Sequence, residues 1–209
     1  MSVKLTIAIP KGRIGSSAIE LLKSIGLAEV ISPKSRKLVF IDREDIRYLL
    51  VKSIDVITYV ENGVADLGII GSDNLLEKDS EIYELMDLGF GECKFSIAGL
   101  KDQVLDNPNK LIKIATKYPN VTKKYFQNKD QKIEIIKLNG SVELAPLVGL
   151  SNVIVDIVET GNTLRANGLS VIEDMYDVSA KLIANRGSYR FKSKTIESIV
   201  KRLEARLNA

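Results

Sequence analysis

At 209 residues the chain can form one large domain or two small lobes, and 45% apolar with 27% charged residues is the balance of a globular protein. Thirty basic and 27 acidic residues leave a formal charge of only +3, too even for nucleic-acid or membrane binding by bulk charge. The chain has no histidine and one cysteine, Cys93, which excludes Ser-His-Asp and Cys-His catalysis, histidine-ligated metals, cysteine clusters and an intrachain disulfide. A catalyst built here must use carboxylates, Lys, Arg and backbone N–H groups, with an oxygen-ligated cation as an optional addition. The opening MSVKLTIAIPKGR lacks a signal-peptide pattern, and no apolar run is long enough to span a bilayer, so a cytoplasmic protein is expected.

In chain order, Val3 to Ile9 reads as a strand, Pro10-Lys11-Gly12-Arg13 as a turn, and Ile14 to Ile25 as a helix stopped by Gly26. A Gly between two cations at the start of a helix is a good anion site. Leu38–Ile41 and Ile46–Val51 read as strands about the turn Asp42-Arg43-Glu44-Asp45. A helix over Ser53 to Asn62 ends at Gly63, Asp66–Ile70 is a strand, and Gly71-Ser72-Asp73 opens another helix. Tyr83–Phe90 is extended.

The pattern resets near Gly89-Phe90-Gly91. Cys93–Leu100 is a strand and Lys101 to Asn109 a loop. Leu111–Ala115 is a strand, followed by the turn Thr116-Lys117-Tyr118-Pro119-Asn120 and a helix over Val121–Asn128. Ile133–Leu138 is a strand, and Gly140-Ser141-Val142-Glu143 opens a short helix through Pro146. Val153 to Val158 is β-branched almost throughout, as in a strand buried on both faces of a parallel sheet. Glu159-Thr160-Gly161-Asn162-Thr163 then makes a tight polar turn into a helix that stops at Asn167-Gly168. Such a turn aims backbone N–H groups and a helix dipole at one point, with Thr160, Asn162 and Thr163 adding side-chain donors. Asp156 and Glu159 beside it suit sugar hydroxyls or a divalent cation. Val171–Asp177 and Lys181–Asn185 are extended, and Ser193 to Leu207 is an amphipathic helix.

The halves echo each other. Strand–PKGR–helix matches strand–TKYPN–helix, and ADLGIIGSDNLL matches NVIVDIVETGNTL. Two α/β lobes with parallel sheets are expected, with ligands at the carboxyl ends of the strands. Residues 1–91 with 186–209 are assigned to lobe I and 92–185 to lobe II.

The apolar strand, acidic residues and T-G-x-T resemble the phosphoribosyl pyrophosphate (PRPP) loop of phosphoribosyltransferases. With PKGR at Pro10–Arg13, SRKL at Ser35–Leu38, DLGIIGSDNL at Asp66–Leu75, KIATKYPN at Lys113–Asn120, GSVELAPLVGL at Gly140–Leu150 and DIVETGNTLRANGL at Asp156–Leu169, the chain resembles the ATP phosphoribosyltransferase family. The resemblance implies a two-lobed fold like type II periplasmic binding proteins, with the active site in the cleft between lobes. It implies transfer of the 5-phosphoribosyl group from PRPP to N-1 of the adenine of ATP, the first step of histidine biosynthesis, with Mg²⁺ held mainly by substrate phosphates. Asp156, Glu159, Thr160, Gly161, Asn162 and Thr163 are implied to bind PRPP. Arg13 and Arg36 are implied to be catalytic, Arg36 in its own or a neighbouring subunit's site. Lys11, Gly12, Asp73, Lys117, Ser141 and Glu143 are expected around ATP and pyrophosphate. A chain that ends at Ala209 after one helix resembles the short form, which works with a synthetase-like regulatory subunit in a hetero-octamer of four plus four. The rival readings are a non-catalytic anion-binding or sensor protein of the same fold and a type I phosphoribosyltransferase for another base, whose loop usually has adjacent acidic residues.

Overall fold

The computed structural model describes residues 3–32, 36–101 and 109–208. In order these form β1 (Leu5–Pro10), α1 (Arg13–Ser24), β2 (Val39–Ile41), β3 (Ile46–Val51), α2 (Val56–Glu61), β4 (Leu67–Gly71), α3 (Ser72–Glu77) and β5 (Ile82–Asp87). There follow β6 (Cys93–Leu100), β7 (Ile112–Thr116), α4 (Pro119–Gln127), β8 (Ile133–Lys137), α5 (Leu144–Leu147), β9 (Val153–Val158) and α6 (Asn162–Ala166). The chain closes with β10 (Leu169–Val178), β11 (Ala180–Asn185), α7 (Arg186–Phe191) and α8 (Ser193–Leu207). The loop expected over Lys101 to Asn109 falls mostly on residues 102–108, outside the described residues, as does Ser35 of SRKL.

Two units result. The first comprises residues 1–75, 79–91 and 179–209, the second 76–78 and 92–178. The return to the first unit therefore comes at Ser179, not at residue 186. The reason is β11, which pairs antiparallel with both β4 and β5 and so belongs to the first sheet.

In the first unit the strand order is β2-β3-β1-β4-β11-β5. β1 is parallel to β3 and β4, while β2, β11 and β5 run antiparallel to their neighbours. The expectation of parallel sheets is thus correct only for three central strands. β1 sits between two neighbours and under helices on both faces, which is why LTIAIP shows no alternation. Leu5, Ile7 and Ile9 face a core with Ala18 and Leu22 of α1 and Ile196, Ile199 and Leu203 of α8. Ala8 faces Val56, Ile57 and Val60 of α2. Burying each such Leu, Ile or Val side chain contributes about 1.5–3 kcal/mol.

The second sheet has the order β10-β6-β9-β7-β8, with β7 parallel to β8 and β9. β6 runs antiparallel to β9 and β10. Phe95, Ile114, Val153 and Val155 pack with Val121 and Phe126 of α4. Ala98, Ala115 and Ile154 face α5 and α6. The echo between halves is present in the topology: β8-β7-β9-β6 repeats β3-β1-β4-β11, strand direction included. β9 departs from its expected burial, since only Val153 to Val155 are buried and Asp156 to Val158 are half-exposed towards the loop.

Burial raises the Asp87 carboxyl, but the Ser179 hydroxyl (2.6 Å), the Gly89 N–H (2.9 Å) and Lys181 Nζ (2.9 Å) outweigh it and hold it down at about 2, from an ordinary 3.8. A depressed carboxyl stabilises the folded state above its unfolded value, and that stability is lost as pH falls through the folded one. Acid unfolding between about pH 4 and 2 should therefore include a contribution that Asp87→Asn removes. Denaturant midpoints at pH 6 and pH 2.5 check this, and equal acid sensitivity in both chains would refute it.

Candidate active site

Parallel strands put their carboxyl ends at one edge, so each unit gathers its turns there. In the first unit these are the turns after β1, β3 and β4. Lys11 N–H donates to Val51 O (2.7 Å), which ties the β1 turn to the end of β3. Gly12 caps α1 with φ 98° and ψ −161°, a conformation that disfavours any side chain. Gly15 is equally constrained, because a Cβ there would lie 1.7 Å from Pro10 O. That close packing of helix on strand aims the first turn of α1, with Arg13, at the turn. Lys11, Gly12 and Arg13 are all exposed.

A cavity of about 650 Å³ opens beside this turn, and it brings together Lys11, Gly12 and Arg36. Its apolar side includes Ile19, Leu38 and Leu50. Arg13 does not line it. Asp73 lies in the first turn of α3, directly after β4. It is 8% exposed, its Oδ1 is folded against Gly71, and its Oδ2 accepts from Asn74 Nδ2 (2.9 Å). Its carboxylate serves the turn that starts α3. Lys52, exposed just after β3 at the same edge, is a further cation that no local motif in the sequence marks.

The second unit presents the turns after β7, β8 and β9. Gly161 adopts the left-handed conformation (φ 69°, ψ 8°) and caps α6. The first helical bond runs from Arg165 N–H to Gly161 O (3.0 Å), so the earlier N–H groups of α6 have no intrahelical acceptor. Arg165 also donates from Nη2 to Thr160 O (2.9 Å) and to Asn162 Oδ1. It straps the loop from its own helix, a role the sequence reading missed because TLRAN reads only as a short helix. Glu159, Thr160, Asn162 and Thr163 are exposed. Asp156 is half-buried, and its Oδ1 accepts the Ile157 N–H (2.9 Å).

Ser141 and Glu143 lie on the turn after β8, with Ser141 exposed and at φ 49°, an uncommon value for a residue with a side chain. Lys117 is exposed on the turn after β7, its Nζ 5.6 Å from the Tyr118 ring. Thr116 Oγ1 accepts the Tyr118 N–H and donates to Val155 O (2.7 Å), fixing that turn against β9. The N-terminus of α4 is already filled. Glu77 accepts the N–H groups of Asn120 and Val121 (both 3.0 Å to Oε2), so a carboxylate takes the place an anion would have there. Of the two echoing turns, TKYPN is thus the one whose helix-start N–H groups are taken by a carboxylate. Among the described residues, no helix is long and apolar enough to cross a membrane.

Solved structures share this fold. The chain aligns with the ATP phosphoribosyl transferase (HisG:HisZ) complex from Thermotoga maritima at TM-score 0.83 and 37% identity, covering 96% of this chain and 97% of that one. The periplasmic aliphatic sulphonate binding protein SsuA from Escherichia coli matches at TM-score 0.59 and 16% identity, covering 95% and 70%, which shows a common fold alone. An ATP phosphoribosyltransferase of Clostridioides difficile (strain 630) is 58% identical over 201 residues, 96% of this chain and 97% of that protein. One from Oceanobacillus iheyensis is 52% identical, covering 95% and 96%. The ATP phosphoribosyltransferase family model matches residues 52–205, and the chain belongs to the ATP phosphoribosyltransferase family.

Proposed function

We infer that the chain transfers the 5-phosphoribosyl group of PRPP to N-1 of the adenine ring of ATP, releasing pyrophosphate. The observation that carries this is the 58% identity to an ATP phosphoribosyltransferase along nearly the full length of both chains. The chemistry suits a protein without histidine. The nucleophile is a ring nitrogen whose lone pair is free at neutral pH, so no base has to start the attack. The bond from C-1 of the ribose to the pyrophosphate oxygen breaks as the bond from C-1 to N-1 forms. Catalysis is then positioning, with charge neutralisation on the leaving pyrophosphate.

In this reading the Thr160–Thr163 turn holds the 5-phosphate, and Glu159 and Asp156 face ribose hydroxyls. Arg13 and Lys11 meet the pyrophosphate or the ATP phosphates. Arg36 supplies a further cation, and Lys117, Ser141 and Glu143 add turn groups. Asp73 acts as a positioning residue through its turn. Among the described residues no three or more acidic side chains gather as a metal site. In this reading Mg²⁺ would be held mainly by substrate phosphate oxygens, where it would neutralise leaving-group charge. The Thermotoga relative is a complex of two proteins, HisG and HisZ, and the corresponding partner here is a synthetase-like regulatory subunit in a hetero-octamer of four plus four.

Mixing ATP, PRPP and Mg²⁺ with the chain, with and without that partner, and following pyrophosphate tests the reading. Release that requires both substrates is the expected result. Binding of PRPP with no release under either condition would reduce the chain to an anion-binding protein.

A further inference from the structure

The stretch Asp156–Leu169 carries two carboxylates, Asp156 and Glu159, and one cation, Arg165. A loop that binds an anion must present donors and keep its own acceptors turned away, because a facing carbonyl oxygen repels phosphate oxygens. The Glu159–Thr163 turn has such acceptors in its backbone carbonyls and in the side-chain oxygen of Asn162. Two of them are held by a single nitrogen: Arg165 Nη2 donates to Thr160 O (2.9 Å) and to Asn162 Oδ1. Those bonds use both protons that the nitrogen carries.

Each bond orients a donor. An Asn amide can turn either its oxygen or its NH₂ toward a neighbour, but a guanidinium offers donors alone. Asn162 therefore meets Arg165 with Oδ1, which sets its NH₂ on the other side of the amide. The backbone follows the same logic. With Thr160 O held by Arg165, the Gly161 N–H of that trans peptide points the opposite way. The Asn162 N–H reaches Thr160 Oγ1 at 3.5 Å, a long bond that a phosphate oxygen can displace. Gly161 makes room for the guanidinium, since a Cβ there would lie 3.0 Å from Arg165 Nη1. The echoing TKYPN turn is built the other way round: the Glu77 carboxylate takes donors, the N–H groups of Asn120 and Val121.

We propose that Arg165 is a positioning residue for PRPP. It gives the Gly161 turn its donor polarity by holding the Thr160 carbonyl and the Asn162 oxygen away from the 5-phosphate. It acts through Asn162 and the Thr160–Gly161 peptide, not by touching the substrate. Its charge also offsets Asp156 and Glu159, but charge alone does not orient an amide. The inference rests on the assignment of this loop to the 5-phosphate under the proposed function.

Calorimetry of the full chain with PRPP, and separately with ATP, tests it. Arg165→Ala should weaken PRPP binding roughly thirtyfold, the scale of one charge-assisted hydrogen bond lost at an anion site, and leave ATP affinity unchanged. Arg165 is exposed, so the melting temperature should hold. Asn162→Ala should cost roughly tenfold on the same scale. The double variant should lose little more than Arg165→Ala, because residues that act in series are not additive. Single losses that multiply in the double variant would show that Arg165 does not act through Asn162, and they overturn the proposal. Arg165→Lys keeps the charge without the planar fork and should recover only part of the affinity. Full recovery would reduce Arg165 to a charge and overturns the proposal too. A native chain that binds PRPP no better than Arg165→Ala also overturns this inference and leaves the loop assignment standing. A native chain that binds no PRPP at all defeats the loop assignment, and the inference with it.

Discussion

Gly161→Val is expected to leave a folded chain that no longer binds PRPP. Gly161 has φ 69° and ψ 8°, the left-handed region. A β-branched residue there is a steric outlier, at roughly 1–2 kcal/mol even for an ordinary side chain. The new Cβ would also come 3.0 Å from Arg165 Nη1 and 3.8 Å from Val158 Cγ1. It thus pushes on the strap that holds Thr160 and Asn162, rather than only filling space for a phosphate. With the peptide planes of the loop turned, the N–H groups of the α6 start no longer converge on one anion. The loop lies at the surface and α6 has five residues, so the cores of both units should survive. Calorimetry with PRPP should show affinity down by roughly a hundredfold or more, about 2.7 kcal/mol. Gly161→Asn carries the same Cβ but tolerates the left-handed region, so it removes the backbone strain alone, and its affinity should fall between those of the native chain and Gly161→Val. An unchanged PRPP affinity in folded Gly161→Val would show that the phosphate binds elsewhere.

What could be read from the sequence was whatever is encoded locally. The central strands announce themselves because LTIAIP and NVIVDIV are apolar without alternation. The Gly161 turn was legible because Gly, Thr and Asn at a strand-to-helix junction each carry a physical reason. Strand direction was not legible. β6 and β11 have the same apolar pattern as their parallel neighbours, and nothing in a strand's own residues records which way its partner runs. α7 was missed because Arg186–Phe191 has a Gly and no apolar period. It is held instead by the Asn185 side chain accepting the Ser188 N–H (2.9 Å), and by Ser188 Oγ and Lys192 Nζ on the buried Asp66 (2.6 and 2.8 Å). Those last two contacts span more than a hundred residues of chain. The burial of Asp73 and the filling of the α4 terminus by Glu77 are tertiary facts of the same kind. At TKYPN the N–H groups of the helix start find their acceptor more than forty residues away in the chain, and no local pattern marks that.

Arg13→Ala should slow the chemical step far more than it weakens ATP binding. Arg13 is the first residue of α1, exposed, and directly follows Gly12. It therefore adds a full charge where a twelve-residue helix already presents its positive end. Before reaction the pyrophosphate group is still bonded to C-1 of the ribose. As that bond breaks, negative charge builds on the departing oxygen, and a preorganised cation gains most at that moment. Losing one such donor typically costs about 2–4 kcal/mol of transition-state stabilisation, or roughly 30- to 1000-fold in rate. Ground-state affinity for ATP should change much less, since Lys11 and Arg36 line the adjoining cavity and Arg13 does not. Arg13→Lys should recover part of the rate, because it restores the charge without the planar two-pronged donor. Rapid-quench single turnovers with enzyme in excess separate these steps from product release. A normal single-turnover rate in Arg13→Ala would place Arg13 in ground-state binding or on the surface, and the charge-neutralising role would pass to the remaining cations.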